Sequence, residues 1–173
     1  MEYKRWLPVL LGLALVAGCA RSDPLATKVA ARSPIAFAMW HSQTGTALSA
    51  EQWRDFDAAV QEIKFQVAAE YAATGTEAVD EAMRQRVDEQ TVRRVLELGD
   101  LARLTRLKSD RAELAHFLEV NATMRTRPDD QASIAYLKGL RDRQVARLEA
   151  LDAEIAERRA QMRSRSSGAA PGR

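Results

Sequence analysis

Three groups of side chains in this sequence could carry chemistry: one cysteine, two histidines and a local concentration of carboxylates. Cys19 is the only thiol, and a thiol can serve as a nucleophile, a soft metal ligand or a point of covalent modification. With no second cysteine, no intrachain disulfide can staple the fold. His41 and His116 are the only histidines, and neither stands in an HExxH-type spacing that would put two imidazoles on one helix face. Asp55, Asp57 and Glu62 are close enough in sequence to suggest acid–base work, but helical periodicity puts them on a solvated face. The eight glycines do not form a phosphate-cradling loop beside a strand pattern. These residues point to no catalytic group, cofactor or metal, so a non-enzymatic protein is expected. The alternative is an enzyme or metal-binding protein using His41 or His116.

The setting of Cys19 is more specific. MEYKRW gives a short basic start and WLPVLLGLALVAG the apolar run that follows it, the two leading parts of a secretion signal. The run falls short of the about 20 apolar residues that span a bilayer. At its end, Val16-Ala17-Gly18-Cys19 resembles the lipobox of bacterial lipoproteins, in which an apolar residue and two small residues precede a cysteine. The resemblance implies cleavage after Gly18, so that residues 1–18 are a signal peptide. It further implies a diacylglycerol thioether on the Cys19 sulfur and an acyl amide, such as palmitate, on its amino group. Each buried methylene contributes about 0.8 kcal/mol, so three chains would hold the protein on a membrane permanently. Ala20, where an aspartate would retain such a lipoprotein in the inner membrane, implies an outer-membrane location facing the periplasm. An ordinary cleaved signal or an uncleaved anchor, with Cys19 incidental, is the competing reading.

Composition limits the remainder. The chain carries 26 basic and 24 acidic residues for a net charge of +2, with both signs interspersed. No large field is available to attract nucleic acid, and none is expected as a partner. Hydrophobic residues make up 46% of the chain but aromatic residues only 6%. With so much of the apolar share in alanine, and with Leu, Arg, Glu and Gln abundant, an all-α protein follows. In RRAQMRSRSSGAAPGR, Arg158, Arg159, Arg163, Arg165 and Arg173 have no carboxylate after Glu157. Residues 164–173 therefore read as a disordered tail, with contact to phosphate or lipid headgroups the alternative.

Residues 19–48, rich in Pro, Ser and Thr, read as the lipidated N-terminus and a tether that would set the body about 30 Å from the lipid. Within it, IAFAMW groups Ile35, Phe37, Met39 and Trp40, which would either dock on the protein's own helices or contact a partner. A helical domain is expected over 49–163. Ser49 and Gln52 form a capping box, Leu48 and Trp53 a hydrophobic staple, and Trp53, Phe56, Val60, Ile63 and Val67 one apolar face to about residue 73. A short helix bearing Val79, Met83 and Val87 follows. Thr91 then caps a long helix to about residue 126, in which Gly99 is a weak point worth about 1 kcal/mol.

Pro128 stops that helix, and Asp129 or Asp130 caps a last one to about residue 162. Leu107, Leu114 and Asn121 on one, and Leu148, Ile155 and Met162 on the other, are spaced seven apart. Amphipathic helices with a long antiparallel coiled-coil-like hairpin are therefore expected, with Asn121 as a register-fixing polar residue in its seam. Lys138 with Asp142, and Glu154 with Arg158, have the spacing of surface pairs. LSAEQWRDFDAAVQEI followed by VDEQTVRRVLELG also resembles small uncharacterised helical lipoproteins, with Glu89-Gln90 standing where those carry a turn glycine. The expected protein is a membrane-anchored periplasmic lipoprotein acting as a scaffold or accessory subunit. Its expected partners are the membrane, reached through lipid, and another protein of the cell envelope.

Overall fold

Four of the five α-helix starts among the described residues are built from a side chain that satisfies amides the helix itself leaves unpaired. The computed structural model describes residues 23–71 and 75–168. Among them are five α-helices and no strand: α1 (Pro34–Thr44), α2 (Ala50–Glu70), α3 (Thr76–Val87), α4 (Val92–Thr123) and α5 (Gln131–Gly168). Ser33 caps α1 by accepting from the Ala36 amide at 3.1 Å, with Pro34 in the first turn. At α2 the expected capping box is present, Ser49 and Gln52 each accepting from the other's backbone amide at 3.2 and 2.8 Å. Thr91 accepts from the Arg94 amide at 3.1 Å, and Asp130 from the Ser133 amide at 3.0 Å, which starts α4 and α5. Only α3 lacks a side-chain cap, beginning after Gly75 at a φ of +83°.

The body of the protein is α2, α3 and the first half of α4, closed around Phe56, Ile63, Val67, Val87, Val92 and Val95. Residues expected to form a tether belong to this body from Asp23 onward. The Val29 amide donates to the Gln90 carbonyl at 2.8 Å, Glu89 donates back to Val29 at 2.9 Å, and Val92 donates to Thr27 at 2.9 Å. Val29 and Ala31 are fully buried, and the Ala31 amide donates to the Asp88 carboxylate at 2.6 Å. The Pro, Ser and Thr of this stretch do break regular structure, but its polar backbone finds partners on the turn between α3 and α4.

That turn contains Glu89 at a φ of +57°, a left-handed conformation that favours glycine. Helix α1 packs Trp40 among Phe37, Trp53 and Phe56, with ring centroids 6.1, 5.9 and 5.2 Å away.

The second half of α4 and α5 form the expected antiparallel hairpin. Its seam is thin: Leu107, Leu151 and Ile155 are buried and Leu104 and Leu114 pack beside them. Polar bridges flank it, Arg103 to Glu154 at 2.6 Å and Arg111 to both oxygens of Asp152 at 2.6 and 3.2 Å. Asn121 is buried near the tip and donates to Gln144 at 3.0 Å, the seam position expected of it. Glu154 and Arg158 do not pair with each other; both reach across to α4.

Gly99 is where α2 and α4 meet. A Cβ on Gly99 would overlap the Cα and Cβ of Ala59 and lie 2.9 Å from the Ala59 carbonyl oxygen. Read from sequence as a weak point, the glycine is instead what allows the two backbones to touch. In Gly99→Ala, overpacking at about 1–3 kcal/mol should outweigh the about 1 kcal/mol of helix propensity regained, and thermal unfolding should come earlier. Glu89→Gly should act in the opposite direction, because a left-handed non-glycine residue costs roughly 1–2 kcal/mol. A Gly99→Ala protein melting above its parent would show that this contact does not close the crossing.

Candidate functional site

Immediately after Gly99, Asp100 meets α5. Its side chain is only 9% exposed, and its two oxygens accept from Arg158 at 2.9 Å and Arg165 at 2.6 Å. Arg165 also lies 3.5 Å from Asp55 on α2, so one guanidinium joins three helices. Alongside, Arg106 binds both oxygens of Glu62 at 3.0 and 2.6 Å. Asp55, Glu62, Asp100, Arg158 and Arg165 line a cavity of about 110 Å³ with Ala58, Ala59 and Leu96. That volume is well below the roughly 300 Å³ at which small-molecule sites begin. Every carboxylate lining it is in contact with a guanidinium, which makes it a brace of ion pairs between helices.

This brace corrects two expectations. Arg158 and Arg165 were assigned to an unpaired basic end, yet both bind Asp100, and α5 continues to Gly168 rather than giving way to a tail at residue 164. Pairing by residues more than fifty positions upstream is invisible to a reading that compares only neighbours along one helix. Glu62, expected on a solvated face, has a side chain only 13% exposed because Arg106 reaches it from α4.

Asp100 itself was missed as a site residue. Its signal was present in the spacing: it falls four after Leu96 and seven before Leu107, on the apolar stripe, where a carboxylate must have a partner.

The histidines lie on separate elements. His41 on α1 packs on Trp53 at 4.2 Å between centroids, with Nε2 3.4 Å from Asp57. His116 is exposed in the distal half of α4, with Phe117 6.4 Å away. Among the described residues, no three His, Cys, Asp or Glu side chains gather as a metal site. Cys19 and the lipobox lie outside the described residues. No helix among the described residues is long and apolar enough to cross a membrane. Of the IAFAMW group, Trp40 is buried and Phe37 packs on the core, whereas Ile35 and Met39 are 73% and 55% exposed.

Two exposed apolar surfaces remain. Between α2 and α3, Phe65, Ala68, Tyr71 and Val79 line a groove of about 310 Å³, and the Arg106 guanidinium lies 5.9 Å over the Phe65 ring. In the distal half of the hairpin, Phe117, Val120 and Met124 are exposed; the first two share one flank of α4 by their three-residue spacing, and Met124 is the residue that caps its end. Tyr136 on α5 is 65% exposed near the same tip. The chain matches no family model, no curated protein and no solved structure.

Two consequences follow from the ion pairs. Removing one partner of a buried pair leaves the other unmatched at a cost of about 3–5 kcal/mol, so Asp100→Ala should lower the urea midpoint strongly. Asp152→Ala removes a solvent-screened partner of Arg111 and should leave that midpoint nearly unchanged. Equal effects would mean that Asp100 is not a brace.

Acid should weaken the fold. The Arg103 hydrogen bond holds the Glu154 carboxyl below its ordinary value, and the Arg111 hydrogen bond does so for Asp152. The Leu25 amide, then Arg93, acts likewise on Asp23, and the Ser133 hydroxyl and amide on Asp130. Groups with depressed values stabilise the folded state above the unfolded carboxyl range. That contribution is lost as pH falls through the lower folded values, so stability should be flat near neutrality and decline below about pH 4. Glu154→Gln should shrink that decline; an unchanged acid slope would remove Glu154 from it.

Proposed function

We propose that this protein is a lipoprotein of the bacterial cell envelope that works by binding, as a scaffold or accessory subunit whose contact surface is the distal hairpin. The observation that carries this reading is the flank of Phe117, Val120 and Met124, three apolar side chains left exposed on an arm that extends past the body. A thin, two-helix seam cannot bury such residues itself, and a contiguous apolar flank beside polar bridges has the make-up of a contact surface.

The lipid anchor rests on Val16-Ala17-Gly18-Cys19 and the basic and apolar segments before it. Outer-membrane placement facing the periplasm rests on Ala20 within that resemblance. A reading as an enzyme or metal-binding protein through His41 or His116 has no comparable support, since His41 is engaged by Trp53 and Asp57 and His116 is on the arm beside Phe117.

Two measurements test this. Mass spectrometry of the N-terminal peptide from membrane-extracted protein should find Cys19 as the first residue, carrying thioether and amide lipid; a free Cys19 thiol contradicts the anchor. A photo-crosslinking residue at Phe117 should give one discrete adduct in cells, lost in a Val120→Asp/Met124→Asp background that remains folded. No adduct at Phe117 above that of an exposed α2 position such as Asp57 contradicts the hairpin as the contact surface.

A further inference from the structure

Accepting the lipid anchor just proposed, we infer that the end of the molecule formed by the α3–α4 turn and the first turn of α4 sits against the lipid headgroups, with the hairpin tip directed away from them. Asp23 is the first described residue and it is firmly placed. One of its carboxylate oxygens accepts from the Leu25 amide at 3.0 Å and the other from Arg93 at 2.6 Å, in the first turn of α4.

The next residues are stitched to the same end through Thr27, Val29 and Ala31, which bond to Val92, Gln90, Glu89 and Asp88. Between Cys19 and Asp23 the chain advances four residues, which at 3.3–3.6 Å each gives a reach of at most about 14 Å. A body hung from acyl chains on so short a connection cannot drift some 30 Å from the bilayer, as a long tether would allow.

The far end follows from the length of α4. Its 32 residues rise 1.5 Å each, so Thr123 lies about 48 Å along the axis from Val92. Three ion pairs at the anchored end cancel most of its charge, Lys28 with Glu89, Arg93 with Asp23 and Arg94 with Glu97, with Arg32 exposed beside them. Headgroup attraction therefore adds little, and the short connection itself sets which end faces the lipid. The flank of Phe117, Val120 and Met124 is then displayed away from the acyl chains.

The test uses the full chain, lipidated in a Gram-negative host and inserted into phosphatidylcholine vesicles bearing a headgroup energy acceptor. A donor dye is placed on Arg94→Cys or on Arg127→Cys; the acylated Cys19 sulfur does not react. Transfer from position 94 should exceed that from position 127 by roughly threefold, given the length of α4 between them. Inserting about a dozen Gly and Ser residues between Ala20 and Asp23 should erase most of that difference.

Equal transfer from both positions in the parent, or a difference that survives the insertion, would overturn the orientation. Failure of the anchor itself is separate: protein with an unmodified Cys19 that washes off the vesicles removes both the anchor and the orientation resting on it, whereas lipidated, vesicle-bound protein with equal transfer removes the orientation alone.

Discussion

The absence of a side chain at Gly99 determines how close α2 and α4 can come, and the rest of the architecture is arranged around that contact. Ala59 occupies the space a Cβ would need, so the two helices meet backbone to backbone. Close approach at one point pulls Phe56, Ile63 and Val95 into a common core, with little aromatic bulk required. One residue further on, Asp100 borders the same crossing and gathers Arg158 and Arg165 from the end of α5. Two consecutive residues thus join α4 to the body, through Ala59, and to the returning arm of the hairpin, through Arg158 and Arg165.

This arrangement divides the molecule by function of its parts. The body takes in the N-terminal segment, and α1 completes its core through Trp40. The hairpin leaves the body along α4 with a seam of few buried residues, and its geometry is maintained by Arg103–Glu154, Arg111–Asp152 and Asn121–Gln144. A seam made this way fixes register by directional bonds rather than by mass of apolar contact. It also leaves apolar residues over, and those are the ones the proposed binding role uses.

Much of this was legible in the sequence, for physical reasons. Caps are local, so Ser49 with Gln52, Thr91, and the pair Asp129-Asp130, of which Asp130 is the cap, marked helix starts from neighbours alone. Hairpin pairing followed from spacing and from the short connection at Pro128. What was not legible depended on distant residues. The stretch from Asp23 to Leu48 has the composition of a linker, yet the turn between α3 and α4, more than fifty residues on, holds Val29 and Ala31, and Trp53 and Phe56 of α2 hold α1 through Trp40.

Gly99 carries a local penalty and a non-local benefit, and only the penalty is visible along one helix. The charges of Arg158 and Arg165 likewise looked unopposed because Asp100 lies on another element. The candidate contact flank was half visible: Phe117 and Met124 are seven apart, as Leu107 and Leu114 are, and which of these remain exposed depends on where the body ends.

If Gly99 and Asp100 do couple body and hairpin into one cooperative unit, equilibrium unfolding must show it. Trp40 and Trp53 report the body by fluorescence, while circular dichroism at helical wavelengths is weighted by the two long helices of the hairpin. In urea, the account predicts coincident midpoints for the two signals in a single transition. A helical signal that is lost well before the tryptophan signal would contradict it, because the hairpin would then be an appendage and not a continuation of the same core.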